Sequence, residues 1–170
     1  MIAIRHARKE DVPALAAIGL AAWGQAIAGV ADLERLRDNA AEAFIRFLAA
    51  SWPVVRVAEE GGEPLGWAAR ERGDDEITDL WVRPAAQKRG AGSALLAAME
   101  AEVAAAGQPQ VCLQTHARNR AAISFFTNRG YAVSWLSIAH STKLDRDVES
   151  VGLRRMLVED VASGYGPDGF

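Results

Sequence analysis

A basic, glycine-rich turn constrains this chain more than any other segment. It reads Gln87-Lys88-Arg89-Gly90-Ala91-Gly92, follows an apolar run that ends at Val82, and precedes apolar residues at helical spacing. The order strand, turn, helix brings free backbone N–H groups and the positive end of a helix dipole to one point. Because glycine has no Cβ, such a turn closes tightly and its N–H groups can approach a ligand. The segment therefore predicts an anion site suited to phosphate.

Two common phosphate motifs do not fit this turn. The dinucleotide fingerprint G-x-G-x-x-G requires a third small residue, and the chain has Leu95 at that position. The nucleotide P-loop, G-x-x-x-x-G-K-[ST], is absent. For the G-x-G pair by itself, a structural turn without a ligand remains the alternative interpretation.

Composition narrows the function classes. The 170 residues suffice for one domain, and a net charge of −3 without long basic runs argues against nucleic acid and membrane partners. The single cysteine, Cys112, fits a reducing cytoplasm, and we expect it to be a buried structural thiol. The apolar segment 13–30 is rich in alanine and glycine and follows Glu10 and Asp11. It predicts an amphipathic helix rather than a signal peptide or a membrane span.

The periodicity of the chain predicts the element order β-α-α-β-β-β-α-β-α-β-β. We expect a single domain over residues 1–158 and a loose, glycine-rich tail at 159–170. This order indicates an α+β domain with a mostly antiparallel sheet. Strands are predicted near 2–6, 54–58, 65–70, 76–83, 110–115, 131–139 and 151–158. Helices are predicted from about 9, over 33–48, after the glycine turn and over 119–127.

Two segments carry a family resemblance. The stretch from Leu80 to Gly92, LWVRPAAQKRGAG, resembles motif A of the GNAT superfamily of acyl-CoA-dependent N-acyltransferases, whose core is Q/R-x-x-G-x-G/A after a strand L-x-V. The stretch from Asn119 to Tyr131, NRAAISFFTNRGY, looks like the downstream segment N-x-x-A-x-x-F-Y-x-x-x-G-F/Y of that family. The resemblance implies a GNAT-like α/β/α domain with a central, mostly antiparallel mixed sheet. It also implies acetyl-CoA as the acyl donor and no metal.

The resemblance implies where the donor binds. The positions that match the pyrophosphate loop are Gln87, Lys88, Arg89, Gly90, Ala91, Gly92 and Ser93. The backbone amides carry this role, and the charges of Lys88 and Arg89 add to it unless they are ordinary solvated surface charges. The pantetheine arm is expected to pair with the backbone of Leu80, Trp81 and Val82, as an added strand does. Asn119 matches an arm-contacting asparagine, and it is also a good helix N-cap.

The implied chemistry is direct transfer of an acetyl group from sulfur to an amine. The amine must be neutral to attack, so a general base is expected, and Glu76 matches a catalytic glutamate of some family members. Asp74 and Asp79 are the alternatives, and each of the three can instead be a solvated carboxylate. The oxyanion of the thioester carbonyl needs a donor, for which the Val82 N–H is the candidate.

One position departs from the family pattern. Phe126 stands where many members carry a tyrosine that protonates the leaving thiolate. His116 is a candidate acid or base near the cleft, and a surface loop histidine is the favoured alternative for it. The sequence thus favours an N-acetyltransferase acting on a primary amine of a small molecule or peptide. The alternative is a non-catalytic acyl-CoA sensor or interaction module. A homodimer through the late strands is plausible, and Trp23, Trp52 and Trp135 are expected to pack in the core.

Overall fold

A computed structural model describes residues 1–29 and 32–157. The predicted tail at 159–170, and residue 158 at the end of the predicted domain, lie outside the described residues. The strands are β1 Ala3–His6, β2 Val55–Glu60, β3 Glu63–Ala69, β4 Asp79–Val82, β5 Gln110–His116, β6 Ala132–Ser141 and β7 Arg146–Met156. The helices are α1 Val12–Ala26, α2 Leu33–Ser51, α3 Ala91–Ala105 and α4 Arg120–Thr127. The α+β class and the predicted element order are confirmed.

The strands form two antiparallel sheets that meet at one point. Their orders are β1-β2-β3-β4 and β5-β7-β6. A single parallel bridge between Glu76 and Cys112 joins them: Ile77 N–H donates to Cys112 O (2.9 Å), and Cys112 N–H donates to Asp75 O (2.9 Å). Past this bridge the described part of the chain shows no further pairing between β4 and β5. The two strands therefore part and leave facing edges open.

Helices cover the joined sheets on both faces. Helices α1 and α2 pack on one face around Trp67, which is fully buried and donates its indole N–H to Leu15 O (2.9 Å). Helices α3 and α4 pack on the other face, where the predicted apolar stripe of α3 is buried as expected. The stripe consists of Leu95, Leu96, Met99 and Val103. These two cores give the α/β/α layering.

Some predicted boundaries and one predicted core residue are wrong. The regular ladder between β3 and β4 begins at Asp79 rather than at 76, because Glu76 bridges to β5. Strand β7 begins at Arg146 rather than at 151. Trp135 was expected in the core, yet 41% of its surface is exposed, because it lies on the edge strand β6. Its indole covers the backbone of Gly152 on the neighbouring strand.

The apolar segment near the N-terminus folds as predicted. Helix α1 turns its larger apolar residues, among them Leu15, Ile18 and Trp23, into the core between α1, α2 and the sheet. Among the described residues, no helix combines the length and the apolar character that crossing a membrane requires.

The contact between Trp135 and Gly152 leads to a stability prediction. A Cβ on Gly152 would lie 2.0 Å from the indole Nε1 of Trp135, so Gly152→Ala forces the ring away. We expect a loss of about 1–3 kcal/mol, the usual cost of overpacking, measured by urea denaturation. Gly24→Ala is the matched control, because a Cβ there meets nothing within 4 Å and the position is inside a helix. An unchanged midpoint for Gly152→Ala would contradict the contact.

Candidate active site

The open edge of β4 presents backbone groups to the gap between the two sheets. Arg83 N–H donates to Leu65 O on β3 (2.8 Å). Because the N–H groups of successive residues in a strand point to opposite edges, those of Leu80 and Val82 point away from β3. The carbonyl of Val82 points the same way and accepts a hydrogen bond from the Gln87 amide (3.2 Å). Strand β4 thus offers two outward N–H groups beside the parting of the sheets.

The turn between β4 and α3 forms a concave set of N–H groups. Lys88 has a φ of 61° and Gly90 a φ of 97°, so two residues of the turn adopt the left-handed conformation. Within residues 32–157 no side chain caps α3, and Ala94 N–H to Gly90 O (3.0 Å) is its first helical bond. Left-handed residues that alternate with other conformations turn neighbouring N–H groups toward one point, which creates an anion site. The tight glycine turn before α3 is the one that the sequence predicts.

The two glycines of the turn are there for different reasons. At Gly90 a Cβ would meet nothing within 4 Å, and only its positive φ favours glycine. At Gly92 a Cβ would lie 3.3 Å from the ring of Phe125 and 3.7 Å from Val82. Gly92 therefore allows α3 to pack closely on α4 and β4, which the sequence motif did not reveal.

The polar side chains of the turn are distributed between solvent and neighbouring elements. Lys88 is exposed, whereas Arg89 forms an ion pair with Glu60 at the β2–β3 turn (2.5 Å). Gln87 bridges β4 and α1, because its amide also donates to the Gln25 carbonyl oxygen (2.7 Å). Ala91 is buried, so only its backbone faces the turn.

Arg129 is the residue of this region that the sequence reasoning missed. Its guanidinium lies 3.7 Å from the centroid of the Phe125 ring and donates to Ser93 Oγ (2.8 and 3.2 Å) and to Phe125 O (2.8 Å). A fixed cation thereby reaches the first turn of α3 from the end of α4. The sequence shows a basic residue directly before Gly130, but only the tertiary contact with Ser93 reveals that this residue lies at the start of α3.

The three candidate carboxylates occupy different environments. Asp74 accepts a hydrogen bond from the N–H of Glu76 (3.0 Å), which is a structural role in the turn. Glu76 lies at the bridge between the sheets, where burial, followed by the charge of Asp74, raises the pKa of its carboxyl group. A carboxyl group whose pKa is raised is a better proton acceptor than an ordinary one.

Asp79 lies at the start of β4, on the face that α1 and α2 cover. It shares that face with Trp81, whose indole N–H donates to its carboxylate (3.0 Å). Burial raises the pKa of Asp79, while the positive charge of Lys143 acts in the opposite direction. The carboxylate at the start of β4 is thus desolvated.

Asn119 and Phe126 come from the second motif. Asn119 is the N-cap of α4, as its residue type suggested: its side chain accepts from Ala122 N–H (3.2 Å) and donates to Thr115 Oγ1 (3.3 Å). Phe126 is only 7% exposed and packs edge-on against Phe125 and Tyr131, at centroid distances of 5.0 and 5.5 Å.

His116 and Cys112 lie along β5. His116 accepts a hydrogen bond at Nδ1 from the backbone N–H of Arg118 (2.9 Å), and burial followed by nearby arginine charges lowers the pKa of its imidazole. It borders a polar groove of about 340 Å³ that Asp147 and Glu149 also line. Burial raises the pKa of the Cys112 thiol to about 12, which agrees with a structural rather than a nucleophilic cysteine.

These elements have known relatives. The sequence model of the acetyltransferase (GNAT) family matches residues 6–131 of the 170. The chain therefore belongs to the GNAT family of acetyltransferases. It is an acyl-CoA-dependent acetyltransferase, and acetyl-CoA is its acyl donor. The described residues contain no group of three or more metal-ligating side chains arranged to hold an ion.

Solved structures share the fold at low sequence identity. The PaiA N-acetyltransferase of Thermoplasma acidophilum, solved in complex with coenzyme A, has a TM-score of 0.77 and 18% identity over 92% of this chain and 99% of that one. The putative acetyltransferase YncA of Salmonella typhimurium, solved with acetyl-CoA, has a TM-score of 0.66 and 22% identity over 99% of both chains. The ribosomal-protein-S18-alanine N-acetyltransferase of Escherichia coli has a TM-score of 0.66 and 18% identity over 94% and 96%.

The desolvated carboxylate of Asp79 leads to a pH-dependent prediction. Because its folded-state pKa is raised, the folded protein holds an unfavourable charge above that pKa and loses the penalty as the pH falls through it. Asp79→Asn should therefore raise Tm at pH 8, and the gain should vanish below the ordinary carboxyl pKa of 3.8. Asp38→Asn, an exposed carboxylate on α2, is the control in the same thermal melts. A gain that does not depend on pH would contradict the assignment.

Proposed function

We propose that the chain transfers the acetyl group of acetyl-CoA directly to a primary amine of a small molecule or a peptide. One observation carries the proposal: the open edge of β4 is followed, after the turn at 83–90, by the uncapped N-terminus of α3. An open strand edge followed by a helix start that can bind an anion suits an extended arm that ends in a diphosphate. The relatives solved with coenzyme A and acetyl-CoA support this interpretation.

The donor's diphosphate is proposed to bind at the α3 turn. The N–H groups between Gln87 and Ser93 supply the hydrogen bonds, because Gly90 and Lys88 hold the left-handed geometry. Lys88 and Arg129 add positive charge on either side of the turn. Arg89 adds its positive charge as well, although it is paired with Glu60. Burial of Ala91 keeps the turn fixed on the core.

The pantetheine arm is proposed to lie in the gap between β4 and β5. The outward C=O groups of Leu80 and Val82 and the Leu80 N–H can pair with its amides as a neighbouring strand does. The backbone N–H and C=O of Trp81, between them, face β3. Asn119 stands at the end of β5, on the opposite wall of the gap. Its cap to Ala122 leaves its position fixed for a contact with the arm.

Transfer requires an oxyanion donor and a base. In our proposal the amine nitrogen forms a bond to the acetyl carbon, the C–S bond breaks, and the amine proton passes to a base. The Val82 N–H is the candidate donor to the oxyanion, with the Leu80 N–H next on the same edge. Glu76 precedes β4 at the bridge between the sheets, and in our proposal it receives the amine proton through ordered water.

The leaving thiolate must also receive a proton. Phe126 has none to give, and its ring is packed between Phe125 and Tyr131 rather than exposed to the gap. Burial also raises the pKa of Tyr131, which makes it a poor donor. The proposal therefore assigns this proton to solvent.

We propose the acceptor as a primary amine, without naming a particular molecule. The Escherichia coli relative is named for a ribosomal-protein alanine, so the fold accommodates protein amines in that protein. Function in the cytoplasm and a homodimer through the late strands stay predictions of the sequence.

Donor binding is tested with a charge placed in the turn. Acetyl-CoA should raise the Tm of the wild type by several degrees, because a ligand stabilises the state it binds. Gly90→Glu should abolish the shift, since it adds a carboxylate beside the phosphate site and strains a φ of 97°. Gly61→Glu is the control, because Gly61 also has a positive φ (59°) and lies in the β2–β3 turn. A wild type without any shift would refute the proposed donor site.

The base is tested through the pH dependence of turnover. Because the pKa of Glu76 is raised, kcat should climb with pH through a value above that of an ordinary glutamate. Glu76→Gln should lower kcat roughly 100-fold and remove that climb. Asp74→Asn keeps an oxygen for the Glu76 N–H and should retain the climb.

The readout for these variants is thiol release from acetyl-CoA across a panel of amines. If Glu76→Gln keeps both kcat and its pH profile, another group is the base. Tight acetyl-CoA binding without thiol release from any amine would favour the alternative, a non-catalytic sensor.

A further inference from the structure

A lysine of the chain occupies a site made for a cation. The ammonium of Lys143 lies 4.7 Å from the centroid of the Phe44 ring and 5.6 Å from that of Trp81. The two rings meet edge-on at 5.3 Å, and the carboxylate of Asp79 accepts the indole N–H of Trp81 (3.0 Å). We call Phe44, Asp79 and Trp81 the ammonium box. Two π faces and a carboxylate are the groups that attract an alkylammonium ion.

The box and its occupant come from different parts of the fold. Phe44 belongs to α2, whereas Lys143 belongs to the turn between β6 and β7. Asn39 holds this turn, because its side-chain amide donates to Thr142 O (3.0 Å) and Lys143 O (2.7 Å), and Leu144 is buried beneath it. The backbone of the turn is thus anchored without the lysine ammonium. The side chain of Lys143 can therefore leave the box while the turn stays in place.

The residue type of the occupant is informative. Lysine is found at three positions in the chain, although lysine and arginine together number 19. Among the described residues, the salt bridges made by basic side chains other than histidine all use arginine. Arginine is the better residue for a fixed ion pair, because its planar fork is held by two hydrogen bonds. The box holds instead a primary alkylammonium, the chemical group of an amine acceptor.

The box lies beside the proposed reaction site but not in it. Trp81 and Asp79 point toward α1 and α2, while the next residue, Val82, directs its N–H to the open edge. Two π faces and a carboxylate attract an amine in its charged, alkylammonium form. A protonated amine has no lone pair and cannot attack a thioester. The amine in the box is thus an anchor, and the reacting amine is a different group.

We propose that the acceptor is a small molecule with two amines, one of which replaces Lys143 in the ammonium box while the other attacks acetyl-CoA. This inference rests on the proposed function and adds the acceptor's chemical class to it. Because the box and the outward N–H groups belong to adjacent residues of β4, a short aliphatic chain between the two amines suffices. Lys143 competes with the acceptor for the box.

The test compares 1,4-diaminobutane with 1-aminobutane and 4-aminobutan-1-ol as acceptors. The alcohol has the same length as the diamine but lacks the second ammonium. For the wild type, kcat/KM should be roughly tenfold higher for the diamine than for the other two. Asp79→Asn should reduce this preference to near one, while Lys143→Met should increase kcat/KM for the diamine several-fold by removing the competitor. Asp38→Asn, exposed on α2, should change neither value.

The opposite signs of the two substitutions separate a binding site from a structural latch. If the Lys143 contact only holds the turn, Lys143→Met loses stability and neither variant changes the preference between the acceptors. Equal kcat/KM values for the diamine and the monoamine in the wild type would overturn the proposal.

A binding measurement keeps the two proposals distinct. In thermal melts without acetyl-CoA, 1,4-diaminobutane should stabilise Lys143→Met more than the wild type, and 4-aminobutan-1-ol should stabilise neither. If no amine is acetylated but this difference appears, the proposed function fails and the ammonium box stands. If amines are acetylated and the difference is absent, the ammonium box is refuted.

Discussion

The parting of β4 from β5 is the constraint on which the rest of the molecule depends. One parallel bridge, Glu76 to Cys112, holds the two sheets together, and Ile77 is buried directly beneath it. A continued ladder would satisfy the N–H groups of Leu80 and Val82 with β5 and leave nothing for a ligand. Because the ladder stops after one bridge, β4 keeps a free edge inside the fold. Because helices α1 to α4 cover the sheets on both faces, this edge does not lie exposed as the outer edge of a sheet usually does.

In our proposal, one core positions the donor site and the other shapes the acceptor site. The core of α3 and α4 fixes the glycine turn, because Gly92 packs against Phe125 and Arg129 donates to Ser93. The core of α1 and α2 contains Phe44 and Trp81, and with Lys143 it shapes the proposed acceptor side. Strand β4 takes part in both, because alternate residues face opposite cores. In our proposal, donor and acceptor therefore meet at β4, whose edge is open inside the fold.

Much of the fold could be predicted from the sequence, and the reasons are local. The apolar stripe of α3, the turn around Gly90 and the N-cap at Asn119 depend on residues close in sequence, so periodicity and residue type revealed them. The start of β4 and the exposure of Trp135 could not be predicted in this way. Both depend on which strand lies alongside, and Gly152 makes room for Trp135 from the neighbouring strand. The left-handed turn before α3 could be predicted because residues adjacent in sequence form it.

The sequence by itself determined the element order, the family and the glycine turn before α3, because each rests on contiguous residues whose backbone conformation is set locally. Only the tertiary structure decided the rest. Arg129 reaches Ser93 across 36 positions, and Lys143 reaches Phe44 and Trp81 from a distant turn. Burial, which raises the pKa of Glu76 and Asp79, depends in the same way on what packs around them. The role of a charged residue can be assigned only once its neighbours in space are known.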